Sequence, residues 1–171
     1  AKEITSDGII YLPYLMGERT PHLDPNCRGS FTGISVNHNC FNFYRALLEG
    51  VCFSLKDCCE VICESGIDLN MVKVGGGGAK SKLWLQILAD ITTNNLYSSQ
   101  CVESGALGVA ILASVGSGYY NSVEEASAKM TDSNLAMTRF NPGKINYYNS
   151  TYSVYKNLYF AVKSARENKN D

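Results

Sequence analysis

Between Met71 and Asp90 the chain reads MVKVGGGGAKSKLWLQILAD, and this stretch restricts the fold more tightly than any other. The β-branched Val72 and Val74 predict a short strand. Four consecutive glycines, Gly75 to Gly78, come next. Behind them Leu83, Trp84, Ile87, Leu88 and Ile91 recur at helical spacing. Strand, turn and helix therefore follow with no slack between them. A run of glycines is entropically expensive, so it belongs where the backbone needs unusual dihedrals or where something approaches it without meeting a Cβ. The helix behind the turn aims its unpaired N–H groups and positive dipole end back into it, the layout of a phosphate or nucleotide seat. A tight turn, or close helix–strand packing, would use the same glycines. A Walker A loop would not fit, because that motif places glycines where Ala79 and Val74 stand here. Lys80 is therefore given no phosphate-clamping role.

At 171 residues the chain suits one domain, long enough to bury about 70% of its unfolded surface. The formal net charge of −1 gives no electrostatic basis for partnership with nucleic acid or an anionic membrane. No apolar run approaches the length of a membrane-crossing helix. The start, Ala1-Lys2-Glu3-Ile4-Thr5, has no initiator methionine and no signal-peptide profile, as expected of a cut within a longer protein. The seven cysteines lack zinc spacing. Cys52, Cys59 and Cys63 fall near one face of a predicted helix and read as small core hydrophobes. Reduced thiols point to the cytoplasm, where the sequon at Asn149 carries no meaning.

Taken in order, the segment from Gly8 to Leu15 reads as a short strand stopped by Pro13. Gly17 to Gly29 is a polar loop carrying Glu18, Arg19 and Arg28, either pinned by its own salt bridges or lining a cleft. Ser30 to Val36 suits a second strand. Asn39 is placed to cap a long helix from Cys40 to Ser65, with Phe43, Leu47, Val51, Leu55 and Ile62 expected to be buried. Arg45 and Glu49 on it read as a surface or half-buried pair worth about 0.3–0.5 kcal/mol. Leu96 to Ser99 is a further strand. The small residues Ala106, Gly108, Ala110 and Ala113 predict a helix that packs closely on a sheet or another helix. Its start is expected to face the same cleft as the glycines. Ser122 caps a short helix over Val123 to Met130, and Thr131 to Gly143 reads as irregular. Tyr148, Tyr152, Tyr155 and Tyr159 form the packed face of a final helix, with a frayed tail over residues 167–171. The order of elements is that of an α/β domain, helices covering both faces of a mixed sheet.

A more specific likeness resides in the Leu12-Pro13-Tyr14-Leu15 run, Gly17-Glu18-Arg19-Thr20-Pro21-His22, Asp24-Pro25 and Arg28-Gly29. It continues through Ala46-Leu47-Leu48-Glu49-Gly50-Val51, the Gly-Gly-Gly-Ala turn, Trp84-x-Gln86-Ile87-Leu88-Ala89-Asp90, and Ala106-Leu107-Gly108. In order and spacing these pieces resemble the FGGY family of carbohydrate kinases. The likeness is collinear from Gly8 to Tyr119 and weaker to Tyr159. The Gly-Glu-Arg-Thr-Pro-His run and the tyrosine-rich last helix lean toward members that phosphorylate D-xylulose, with gluconate, glycerol or another polyol as alternative acceptors. A non-catalytic nucleotide-binding scaffold of the same fold is the rival from another class.

The resemblance implies an actin-like, ribonuclease H-like fold of two domains around a cleft. The chain would be the C-terminal, nucleotide-binding domain, residues 1–171, lacking the N-terminal domain and the first strands of its own sheet. It implies ATP or ADP held at Gly76, Gly77, Gly78, Ala79 and Ser81, and Mg2+ in the intact enzyme. Ser81 stands where relatives often carry asparagine, and Gly75 where they often carry threonine. The sugar would reach this chain through the missing domain. The phosphate loops and the base are implied upstream, so none of Asp24, Glu49, Asp90 or Glu103 is named catalytic. The piece alone is expected to be inactive. Its unpaired sheet edge and apolar cleft surface are expected to drive homo-oligomerisation.

Overall fold

A computed structural model describes residues 4–69, 71–98, 103–131 and 135–167. Strands β1 (Ile10–Leu12) and β2 (Ser30–Thr32) form an antiparallel ladder with Tyr11 opposite Phe31. Helix α1 (Cys40–Glu64) follows, then β3 (Val72–Val74), α2 (Lys82–Thr92) and β4 (Leu96–Ser98). The chain continues through α3 (Ser104–Gly116), α4 (Val123–Met130), β5 (Ala136–Thr138) and α5 (Ile145–Glu167). β3 and β4 pair in parallel across the α2 connection, and β5 adds antiparallel to β4, giving a mixed sheet in the order β3-β4-β5. The α/β architecture is the expected one. Among the described residues, however, β1–β2 and β3-β4-β5 are two separate sheets. β5 lies inside the segment read as irregular, and β2 is shorter than the expected strand. Ser99, Cys101 and the tail residues 168–171 lie outside the described residues.

α1 begins where Asn39 predicts. The Asn39 side chain accepts from Phe41 N–H, and the Asn42 side chain accepts from Asn39 N–H, a reciprocal cap. Its buried face is not the expected one. Leu47, Leu55 and Ile62 are 40%, 36% and 38% exposed and Phe43 and Val51 are half-buried, whereas Ala46, Gly50 and Phe53 are buried. The reason is backbone approach: a Cβ on Gly50 would sit 2.2 Å from Tyr11 O, so β1 crosses α1 at a place only glycine permits. Cys52 is in the core as expected, while Cys59 is half-buried and Cys63 exposed.

The second correction concerns Arg45 and Glu49, which are 7% and 3% exposed rather than on the surface. Arg45 Nε donates to Glu49 Oε1 at 2.7 Å, and Arg45 Nη2 meets Tyr148 Oη at 2.7 Å. α5 has closed over the pair. All four tyrosines of its stripe are buried as predicted, and each hydroxyl has a partner. Tyr148 reaches Arg45 and Glu49, Tyr152 reaches Asp57, Tyr155 meets Tyr14 at 2.8 Å, and Tyr159 donates to Asp24 at 3.0 Å. Burial raises the Asp57 carboxyl above its usual range, against the hydrogen bond from Tyr152 that favours its charge.

Those tyrosines also fasten the 17–29 loop. Asp24 and Glu18 exchange backbone hydrogen bonds of 2.8 and 2.9 Å. The Glu18 carboxylate accepts from Thr20 N–H and His22 N–H, and Asp24 Oδ1 accepts from Asn26 and Cys27 N–H. His22 stacks on Tyr159 with centroids 3.6 Å apart. Carboxylates binding main chain, rather than the expected salt bridges, hold this loop.

Candidate nucleotide site

β3 and β4 run parallel, so their carboxyl ends open on one edge, where ligands of such sheets bind. The chain leaving β3 there is Gly75 to Gly78. Gly76 has φ +79°, a left-handed conformation that suits glycine, and it swings the main chain into a 3₁₀ turn over Gly77–Lys80. Ala79 N–H bonds Gly76 O at 3.2 Å and Ser81 N–H bonds Gly78 O at 3.0 Å, so the turn is closed by its own backbone. Ser81 then caps α2, its hydroxyl accepting from Trp84 N–H at 3.2 Å. The helix thus begins at Lys82, just before the Leu83–Ile91 stripe that predicts it.

The glycines divide by what a side chain would meet. At Gly78 a Cβ would lie 2.7 Å from the Trp84 indole, so this glycine makes room for the protein's own tryptophan. At Gly75 it would lie 3.1 Å from Ser104 Oγ, which brings the first turn of α3 beside the glycine turn, as the sequence reading expects. At Gly76 and Gly77 it would meet nothing within 4 Å. Gly77 therefore presents bare, exposed main chain two residues beyond Gly75, which is the glycine that lies beside the exposed start of α3 (Ser104, Gly105 and Ala106), where helix N–H groups lack intrahelical partners. Ala79 is half-buried, and Ser81 is exposed with its hydroxyl engaged as the cap. Such a surface accepts a flat or anionic group through backbone N–H and the helix dipole. The role of Trp84 was hidden in the sequence, where it reads only as part of the core stripe.

Of the four carboxylates Asp24, Glu49, Asp90 and Glu103, the first three are committed to partners within the protein. Asp24 is committed to Asn26, Cys27 and Tyr159, and Glu49 to Arg45. Asp90 Oδ1 accepts from Gln86 and from Asn141 N–H at 2.7 Å. Glu103 precedes α3 as its N-cap residue, its side chain making no cap hydrogen bond. Among the described residues no group of three His, Cys, Asp or Glu side chains is placed to hold a metal ion, so no magnesium ligand is assigned to them. No described helix is long and apolar enough to cross a membrane.

Known proteins share this fold. The sequence pattern of the FGGY family of carbohydrate kinases, C-terminal domain, matches residues 1–117. The xylulose kinase of Bacillus subtilis (strain 168) is 38% identical over 96% of this chain, which spans 34% of that protein. A ligand-bound xylulose kinase from Lactobacillus acidophilus superposes with a TM-score of 0.80 at 28% identity, over 92% of this chain and 32% of that one. Plasmodium falciparum glycerol kinase with ADP shares the fold, with a TM-score of 0.73 at 24% identity over 92% of this chain and 32% of that one. The chain belongs to the FGGY family of carbohydrate kinases, in the actin-like, ribonuclease H-like fold of its C-terminal domain. It spans about a third of the length of the curated relatives it matches.

Proposed function

We propose that the chain supplies the adenosine-binding side of an ATP-dependent sugar kinase that converts D-xylulose to D-xylulose 5-phosphate. The observation that carries this reading is the open main chain at Gly77, in a turn whose first glycine, Gly75, lies beside the start of α3. ATP would lie against Gly76, Gly77 and the Gly78–Ala79 peptide, with Ser81 near the nucleotide as the cap of α2. Xylulose is favoured over gluconate or glycerol by the identity to a xylulose kinase along almost the whole chain.

In the reaction a sugar hydroxyl oxygen attacks the γ-phosphorus, the bond to the β-phosphate oxygen breaks, and ADP leaves. The hydroxyl proton passes to a base that the rest of the protein would provide. The contribution of this chain is to orient the nucleotide and place N–H groups beside it. Magnesium, when bound, would neutralise charge on the phosphates. The free thiols among the described cysteines suit a reducing compartment such as the cytoplasm.

The test is a coupled ADP-release assay on the full-length protein with D-xylulose, gluconate and glycerol as acceptors. Turnover with D-xylulose well above the other two is expected, and none from the 171-residue chain alone. Equal or better turnover with glycerol or gluconate contradicts the acceptor; turnover by the isolated chain contradicts the division of labour.

A further inference from the structure

We propose that the cavity between the 23–28 loop and the last turns of α5 binds a phosphate dianion, free or carried as a monoester, through Arg28, Lys163 and Arg166. The cavity holds about 660 Å³ and is lined by these three cations, which come from two elements far apart in sequence. Two acids, Asp24 and Glu167, line it as well.

Three cations against two acids leave the lining with a net charge of +1, and both acids face Lys163. Asp24 is saturated by Asn26 N–H, Cys27 N–H and the Tyr159 hydroxyl. Burial works to raise its carboxyl, but those hydrogen bonds and Lys163 outweigh it and hold the group below its usual range. Lys163 sits 4.0 Å from Asp24 and 3.9 Å from Glu167, one ammonium shared between two acids. Among the described residues no carboxylate lies within ion-pair distance of Arg28 or Arg166. Arg28 is also preorganised. Its Nη1 donates to Pro25 O at 3.0 Å and Cys27 O at 2.7 Å, which fixes the guanidinium plane and leaves its other nitrogens to face a ligand.

Two planar forks and an ammonium around one space match the charge and oxygen geometry of a phosphoryl group. The volume far exceeds phosphate alone, and Leu23 and Pro25 give the remainder an apolar wall. The floor is rigid because Asp24 and Glu18 lock the loop through main-chain hydrogen bonds. This site shares no residue with the glycine turn and does not depend on the kinase reading.

The experiment is an amide NMR titration of the 171-residue chain with inorganic phosphate, with a pentose 5-phosphate, and with the same pentose unphosphorylated, at constant ionic strength. Saturable shifts at residues 23–28 and 163–167 with both phosphates, and none with the bare pentose, are expected. Tighter binding of the pentose 5-phosphate identifies the ester as the preferred form; equal binding identifies the free dianion. The Arg28→Gln/Arg166→Gln double variant should weaken binding at least about tenfold. Because Arg28 also pins loop carbonyls, Arg166→Gln alone serves as the variant that leaves the loop intact, and it too should weaken binding. Shifts that do not saturate, that persist undiminished in Arg166→Gln, or that occur only at residues 75–81 would overturn the proposal.

Discussion

Two helices of this molecule, α5 and α3, have met different fates. α5 buries all four tyrosines of its stripe and finds each hydroxyl a partner, on α1, in the 17–29 loop or at Tyr14. α3 buries only Ile111, and leaves Val109 and Leu112 at 68% and 62% exposure. Its glycines make no close approach either, since a Cβ at Gly105 or Gly108 would meet nothing within 4 Å. The α1–α5 half closes its tyrosine face with its own chain. In the other half the outer face of α3 and the main chain at Gly77 stay exposed. Stability should therefore concentrate in the first half and the nucleotide response in the second.

The largest effect should come from breaking the charge pair buried beneath α5. Glu49→Ala leaves the Arg45 guanidinium buried without its acid and should lower unfolding free energy by about 3–5 kcal/mol in urea denaturation. Replacing both partners with apolar residues of similar size should recover most of that loss. If Glu49→Ala proves neutral, the region is not the closed half described above.

Asp24→Ala removes the anchor between the loop and Tyr159, and should cost about 1.5–3 kcal/mol at neutral pH. Its pH dependence has a defined sign. The carboxyl is held below its usual range in the folded state, so its stabilisation is fully present above the unfolded-state pKa and is lost as pH falls through the folded one. The gap between wild type and variant should close in acid, and thermal melts across pH check it.

Smaller and sharper is the contrast within the turn. Gly78→Val drives a side chain into Trp84 and should destabilise by about 1–3 kcal/mol. Gly77→Val enters open space and should stay within about 0.5 kcal/mol of wild type. On α3, Leu112→Ser should likewise be nearly silent in stability, and it should reduce any self-association seen by light scattering, the state we propose for a chain with such a face exposed.

What the sequence made legible follows the same divide. Asn39, Ser122 and the tyrosine stripe act over a few residues, and α1, α4 and α5 formed where they predict. Which face of α1 is buried was not legible, because apolar residues surround most of that helix. Gly50, by admitting the backbone of β1, made the choice. The small residues of α3 promise close packing, but among the described residues no element closes over them. Ala136 to Thr138 gave no strand signal of its own and became β5 only by lying beside β4. At the candidate site, four glycines look alike in sequence. Folding separates Gly76, which turns the chain, from Gly78, which admits Trp84, and from Gly77, which stays open.

That separation is most directly tested by calorimetric titration of ADP into wild type and Gly77→Val. Wild type should bind weakly, with Kd about millimolar, or roughly −4 kcal/mol. Gly77→Val should keep its melting temperature and lose that heat. Undiminished ADP binding by a folded Gly77→Val protein would contradict a nucleotide seat at this turn.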